Sequence, residues 1–257
     1  MSNKTFLNIL IAGFFLLVLG FIFRVFGGNF QNEKKTNQNP KVVVGIVVDQ
    51  MKYQYLTKYW KHYSEGGFKR LFNKGFNAKS NHYGYAQTSS CPGHNYVAKG
   101  THHLVHGIIG NSWFNKKTKK SVYCVDDMNY NTVGSSTDRG KKSPTNLLTT
   151  TLSDENRIAT NFIGKTIGVA IKDRGSILSS GHTANAAYWF DSKEGSFISS
   201  TYYLTSLPSW AQEFNDSRHI DSYLKPWETY HDISTYIESG PDMNEYESNF
   251  SGEENPI

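Results

Sequence analysis

The sequence predicts an α/β domain, a mainly parallel sheet flanked by helices with a β-rich insertion. Three observations carry this. Lys41–Asp49 (KVVVGIVVD) and Lys165–Lys172 (KTIGVAIK) are runs apolar on both faces, as buried parallel strands require. The segments between them hold apolar residues at helical spacing. Two strand-like runs flank Glu194-Gly195, a hairpin signal.

The 257 residues suffice for one large α/β domain, and 38% hydrophobic with 19% charged residues is a globular composition, not a disordered one. The formal net charge of +5 is spread along the chain. Lys116, Lys117, Lys119 and Lys120 read as a solvated turn, and no denser basic stripe exists, which argues against a nucleic-acid partner. A mild positive balance suits small phosphorylated substrates.

In chain order, Lys4 precedes an apolar run from Phe6 to Phe23, interrupted by Asn8 and closed by Arg24. Residues 1–27 therefore read as a signal peptide or a membrane anchor. The lack of a small-x-small cleavage site favours the anchor. Either way the chain is expected to be exported to the periplasm, and residues 6–23 are the segment that would hold it in the inner membrane. Residues 28–40 are a polar linker, and the domain is expected over 41–257. Cys91 and Cys124 can pair in an oxidising compartment, but their spacing does not decide whether they meet.

Lys41–Asp49 is expected to be a central strand with Asp49 at its C-terminal end, where open α/β sheets bind ligands. The alternative is that Asp49 merely caps a turn. Tyr55–Lys74 predicts two helices broken at Gly66-Gly67, and Phe76–Ala86 predicts a strand. Ser89 or Ser90 would cap a short helix, Pro92–Lys99, ended by Gly100. Lys165–Lys172 is a second buried strand, and Ala186–Asp191 with Ser196–Tyr203 forms the hairpin.

The stretch TSSCPGHNYVAKGTHHLVHGIIGNSW, Thr88 to Trp113, concentrates reactive side chains. A serine at a helix N-terminus faces free N–H groups and the positive end of the dipole, which favour a phosphate bonded to it. The hydroxyl still needs activation. A histidine base (His94, His102, His103 or His106), a metal ion, or Cys91 acting as nucleophile in its place all remain open locally. His94, one turn beyond Ser90, is expected to point along the helix and pack. The other three histidines are expected in a connecting loop.

Four motifs in order narrow the choice. They are VVD ending at Asp49, Ser90-Cys91-Pro92-Gly93-His94, the run His106 to Asn111 (HGIIGN), and Lys172-Asp173-Arg174. Ser90 lies 41 residues after Asp49, and Asn111 lies 21 after Ser90. This pattern resembles the alkaline phosphatase superfamily, and in particular its phosphate-insensitive bacterial branch, related to type I phosphodiesterases and nucleotide pyrophosphatases. VYCVDD (Val122–Asp127), SPTNLLTTTLSDE (Ser143–Glu155) and KDRGSILSSGHTANAAYWFD (Lys172–Asp191) resemble that branch too. The likeness spans residues 41 to about 240.

The resemblance implies an alkaline phosphatase-like fold and phosphate monoester hydrolysis assisted by two zinc ions, through a covalent phosphoserine intermediate. Asp49 and Ser90 would be metal ligands, and Ser90 the nucleophile. Asn111, Lys172 and Arg174 would hold the phosphoryl oxygens. Serine replaces the commoner threonine at position 90 and keeps the hydroxyl. The family's second half carries most zinc ligands, whereas this chain stops at Asn255-Pro256-Ile257, and after His182 only His219 and His231 remain, outside any matching motif. An N-terminal fragment, inactive by itself, is therefore expected. The competing functions are phosphodiester or pyrophosphate hydrolysis and a non-catalytic phosphate-binding remnant.

Overall fold

The computed structural model describes residues 40–86, 88–226 and 228–237. The segment read as signal or anchor lies outside them. Among the described residues no helix is long and apolar enough to cross a membrane. The chain divides into two units, Met1–Ile46 and Val47–Ile257.

In the first unit, residues 40–46 form no strand, and Val42, Val43, Val44 and Ile46 are 75–79% exposed. Residues 47 and 48 are also unpaired and exposed, and Asp49 follows in a turn. This corrects the expected first strand. Side-chain pattern reports what a segment is suited to, but a strand exists only where a neighbouring backbone accepts its hydrogen bonds.

The second unit begins with α1 (Gln54–Lys58), a 3-10 turn at Trp60–His62 and α2 (Phe68–Lys74), entered through Gly67. This is the expected interrupted helical pair, and Trp60 packs edge-on against Phe72 across the interruption. Residues 76–86, expected as a strand, form bends and turns instead. Their tyrosines find partners in a cluster where Tyr83 packs edge-on and Tyr85 tilted against Tyr96, so aromatic content served packing and not a ladder.

Helix α3 (Ser90–Lys99) starts after Ser89 and ends at Gly100, whose φ of +66° is the left-handed conformation that glycine reaches without strain. Helix α4 (His103–His106) is a single turn. Strands β1 (Ser112–Asn115) and β2 (Lys120–Tyr123) form an antiparallel hairpin, with the exposed lysines at its turn. A four-stranded sheet follows in the order β3-β6-β5-β4, from β3 (Thr132–Val133), β4 (Ile167–Ala170), β5 (Ala186–Asp191) and β6 (Ser196–Ser200).

Strands β4 and β5 are parallel and are joined through helix α6 (Asp173–Ser180). The β5–β6 and β3–β6 pairs are antiparallel. Thus the α/β class holds, but the sheet among the described residues is mixed. The hairpin expected as an insertion is part of this sheet, because β5 carries both the parallel ladder to β4 and the antiparallel one to β6. The separate β-rich piece is the β1–β2 hairpin. Strand β4 lies at the sheet edge with Ile167 and Val169 more than half exposed.

Helix α6 lies close on β4. A Cβ on Gly168 would come within 1.9 Å of Ser180 Oγ and 2.8 Å of the Ser176 carbonyl, so only glycine permits the approach. The core joins α3, α6, the loops around them and the sheet through Cys91, Ile108, Val125, Ile177, Leu178, Trp189 and Ile198, all at most 2% exposed.

Helix α5 (Leu152–Ala159) is fixed by a capping box. Thr151 Oγ1 accepts from the Asp154 N–H, and the Asp154 carboxylate accepts from the Thr151 N–H at 2.9 Å. Asp154 is fully buried and also accepts from the Thr183 N–H and hydroxyl at 2.7 and 2.8 Å. Burial raises its pKa, but bonds from Thr151, Thr183 and His182 outweigh this and lower it. A lowered carboxylate pKa adds stability that is present above the unfolded value, about 4, and lost as pH falls below it. Asp154→Ala would strand Thr183 and open the cap; we expect a loss of about 3 kcal/mol or more, read by urea unfolding at pH 7, with less remaining difference from wild type near pH 3.

Candidate active site

The expected residues stand at the N-termini of two helices, α3 and α6, which pack on each other where His94 meets Gly175. Ser90 is the first residue of α3, half-buried, with Ser89 as its N-cap. Lys172 is the N-cap of α6 and Arg174 lies in its first turn. Both residues follow β4, at the end of a parallel strand where α/β sheets bind ligands.

Asn111 is brought to α3 by hydrogen bonding. Its Oδ1 accepts from the Cys91 N–H at 2.8 Å, and its carbonyl accepts from the Cys124 N–H at 2.9 Å. Since Oδ1 is the acceptor there, the other half of the amide is left as a donor. Cys91 and Cys124 form a disulfide, so the pairing that spacing left open is made.

Arg174 is held by a network that the sequence motifs did not disclose. Its Nη1 donates to the Tyr123 hydroxyl at 2.8 Å, and that hydroxyl donates to Asp173 Oδ1 at 2.7 Å. Asp173 Oδ1 also accepts from the Arg174 N–H at 2.6 Å. Lys142 Nζ lies 3.8 Å from Asp173 Oδ2 and 4.9 Å over the Tyr123 ring, and it pairs with Asp126. Burial, reinforced by the Asp173 charge, pushes the Tyr123 phenol well above its ordinary range. Tyr123 therefore stays protonated and can act as donor and acceptor at once. The signal available in sequence was VYCVDD, but nothing local says that its tyrosine crosses 51 residues to an arginine.

Lys172 Nζ lies 3.7 Å from Asp49 Oδ2, both side chains being nearly half exposed. An ion pair so placed adds little stability. It does place Asp49 beside the α6 N-terminus.

His94 packs as expected, whereas His103 and His106 stand in a helical turn and not in a loop. The His94 Nε2 lies 3.6 Å from where a Gly175 Cβ would be, between α3 and α6. Burial lowers its pKa; Asp49 acts to raise it, and Arg174 and Lys172 to lower it further. A side chain one turn along a helix was bound to meet whatever packs on that face, and here that is the helix carrying the cations. His106 belongs to α4 and is fully buried, its Nδ1 accepting from the Ile108 N–H at 3.2 Å. Burial brings its pKa down to about 4, so it is neutral and structural. Lys99, also lowered by burial, to about 8, is spent on Thr149 and Thr150 oxygens.

Among the described residues no group of three or more His, Cys, Asp or Glu is placed to hold a metal ion. Asp49 and Ser90 are two oxygen donors, and catalytic zinc takes about three protein ligands. The described residues therefore do not by themselves complete a metal centre.

Comparison with known proteins follows the same geometry. Alkaline phosphatase PhoV of Synechococcus elongatus is 48% identical over 219 residues, covering 85% of this chain and 40% of PhoV. A Myroides odoratus protein named calcium-transporting ATPase is 46% identical over 220 residues, covering 85% and 40%. Alkaline phosphatase PafA of Elizabethkingia meningoseptica is 42% identical over 228 residues. Its crystal structure superposes with a TM-score of 0.81, covering 84% of this chain and 42% of PafA. A PafA mutant with a threonine changed to serine, and an asparagine, a lysine and an arginine changed to alanine, superposes with a TM-score of 0.78 at 40% identity, covering 81% of this chain and 41% of that one. The chain thus spans about two-fifths of the length of these relatives. The sequence model of the type I phosphodiesterase / nucleotide pyrophosphatase family matches residues 43–247, most of the chain, and the protein belongs to that family.

Proposed function

We propose that the protein is part of an exported alkaline phosphatase-type phosphoric monoester hydrolase in which Ser90 is the nucleophile. What supports this reading is that Asn111 bonds to the residue after Ser90, that Lys172 lies beside Asp49, and that His94, one turn after Ser90, packs on the first turn of the helix that carries Arg174. The names of PhoV and PafA point to the same chemistry. In the PafA mutant, the substituted threonine and asparagine are spaced as Ser90 and Asn111 are, and its lysine and arginine as Lys172 and Arg174 are. The apolar run Phe6–Phe23 and the disulfide both support an oxidising, exported compartment.

In this reading a phosphate monoester sits between the helices. Ser90 attacks phosphorus, the alcohol leaves, and water then releases phosphate from the phosphoserine. The α3 N-terminus, the Asn111 amide and the Lys172 and Arg174 cations stabilise the oxygens as charge builds. Asp49 and Ser90 are the donors this segment contributes toward zinc, the metal we propose. Bound zinc would supply the acidity that makes a serine hydroxyl nucleophilic at neutral pH.

Acid quenching during turnover of a chromogenic phosphate monoester by the full-length protein should trap phosphate on the peptide containing Ser90, detected by mass spectrometry. Phosphate on another residue, or none under burst conditions, would remove Ser90 from the mechanism. Residues 41–257 alone are expected to show no zinc-dependent turnover, because the described donors are too few. Zinc-dependent turnover lost in Ser90→Ala would contradict that.

Tyr123→Phe keeps the ring but removes the hydroxyl between Asp173 and Arg174. We expect monoester kcat/KM to fall roughly fivefold, about the worth of one hydrogen bond, with the thermal midpoint little changed. An unchanged kcat/KM would show that Arg174 needs no such support.

A further inference from the structure

We propose that the Cys91–Cys124 disulfide is a positioning element of the active site, holding the Asn111 amide in register with the Ser90 hydroxyl; this rests on the reading of Ser90 and Asn111 given above. Three connections close a ring, and a peptide bond joins Ser90 to it. Ser90 is bonded to Cys91. The Cys91 N–H donates to Asn111 Oδ1 at 2.8 Å. The Asn111 carbonyl accepts from the Cys124 N–H at 2.9 Å. The Cys124 sulfur is bonded to that of Cys91. Asn111 is therefore gripped at its side chain by one half-cystine backbone and at its main chain by the other.

The residues around the ring make the grip stiff. Cys91 and Cys124 are fully buried, with Ile108 and Val125 also fully buried in the same core cluster. The β1–β2 ladder adds a second tie, because Ser112, next to Asn111, is registered against Tyr123, next to Cys124. Tyr123 in turn holds Arg174. The crosslink thus sits where the nucleophile, the amide donor and the arginine are joined. Without it, among the described residues, the first turn of α3 is tied to Asn111 by a single hydrogen bond, which can lengthen while the helix stays folded.

A crosslink that only stabilises the fold would act equally whatever stands at position 111. One that positions Asn111 would matter only while Asn111 is there, so a double-mutant cycle separates the two. The measurements use the full-length, metal-loaded protein with a chromogenic phosphate monoester, well below the thermal midpoint. Cys91→Ala/Cys124→Ala should lower kcat/KM about tenfold, mainly through kcat, as a small misplacement of a binding group does. In the Asn111→Ala background the same pair should cost less than about twofold. Should the alanine pair fail to fold, Cys91→Val/Cys124→Ala refills the buried volume and enters the same cycle. Affinity for inorganic phosphate, by calorimetry, should follow the same pattern.

Equal losses in both backgrounds, or a folded crosslink-free protein with unchanged kcat/KM, would overturn the proposal. If Asn111→Ala and Ser90→Ala leave turnover and phosphate affinity at wild-type levels, it is the underlying reading of the site that has failed.

Discussion

Replacing Ser90 by alanine in the full-length protein is expected to lower phosphate monoester turnover by on the order of 10³-fold or more, the scale seen when a covalent nucleophile is removed. Ser90→Thr is expected to stay within about tenfold of wild type, since a hydroxyl remains at the same helix end. Fold should not confuse the result. Ser90 is half-buried at the start of α3, its N-cap is Ser89, and the helix is held from within by Cys91 and Asn95, which are fully buried. Far-UV circular dichroism and the thermal midpoint of Ser90→Ala should match wild type. Wild-type turnover in Ser90→Ala would exclude the assignment. Equal loss in the alanine and threonine variants would mean that the site cannot accept a γ-methyl group and would require Ser90→Cys to separate chemistry from shape.

The second large effect is expected at the α6 N-terminus. Arg174→Ala should reduce monoester kcat/KM by roughly 10- to 100-fold, the equivalent of 1.5–3 kcal/mol for hydrogen bonds to a charged group. A monoester carries an extra negative charge on its terminal oxygens, whereas a diester has an esterified oxygen there. The loss on a diester should therefore be several times smaller. Arg174 is the better placed of the two cations, being mostly buried and held through Tyr123, while Lys172 is nearly half exposed and shares its charge with Asp49. Lys172→Ala should follow the same direction with a smaller effect. The family match includes phosphodiesterases, so the comparison of substrates is decisive. Equal losses on mono- and diesters would favour phosphodiester hydrolysis.

Much of the local structure that carries the candidate site was legible because the motif residues lie at element ends, where local rules are strong. Ser89 and Gly100 bounded α3 as N-cap and left-handed terminus, and the strand before Lys172 marked the end at which the cations stand. The Glu194-Gly195 turn was legible for the same reason, with Gly195 at φ +67°. The roles proposed for Asp49, Ser90, Asn111, Lys172 and Arg174 came only with the family resemblance, since the local residues left three activations of the serine open.

The sequence by itself determined the α/β class, the helices around Gly66-Gly67 and Ser90, and strands β4, β5 and β6, all of which depend on periodicity, caps and turns within about ten residues. Tertiary structure alone decided that Cys91 meets Cys124, that Tyr123 bridges Asp173 and Arg174, that His94 packs on the first turn of α6, and that the hairpin joins the main sheet. It also decided that the apolar run before Asp49 and the aromatic run before Gln87 are not strands. The physical reason is the same in each case. A β-ladder, a disulfide or a buried hydrogen bond needs a partner supplied by a distant part of the chain, and the composition of one segment carries no information on whether that partner arrives.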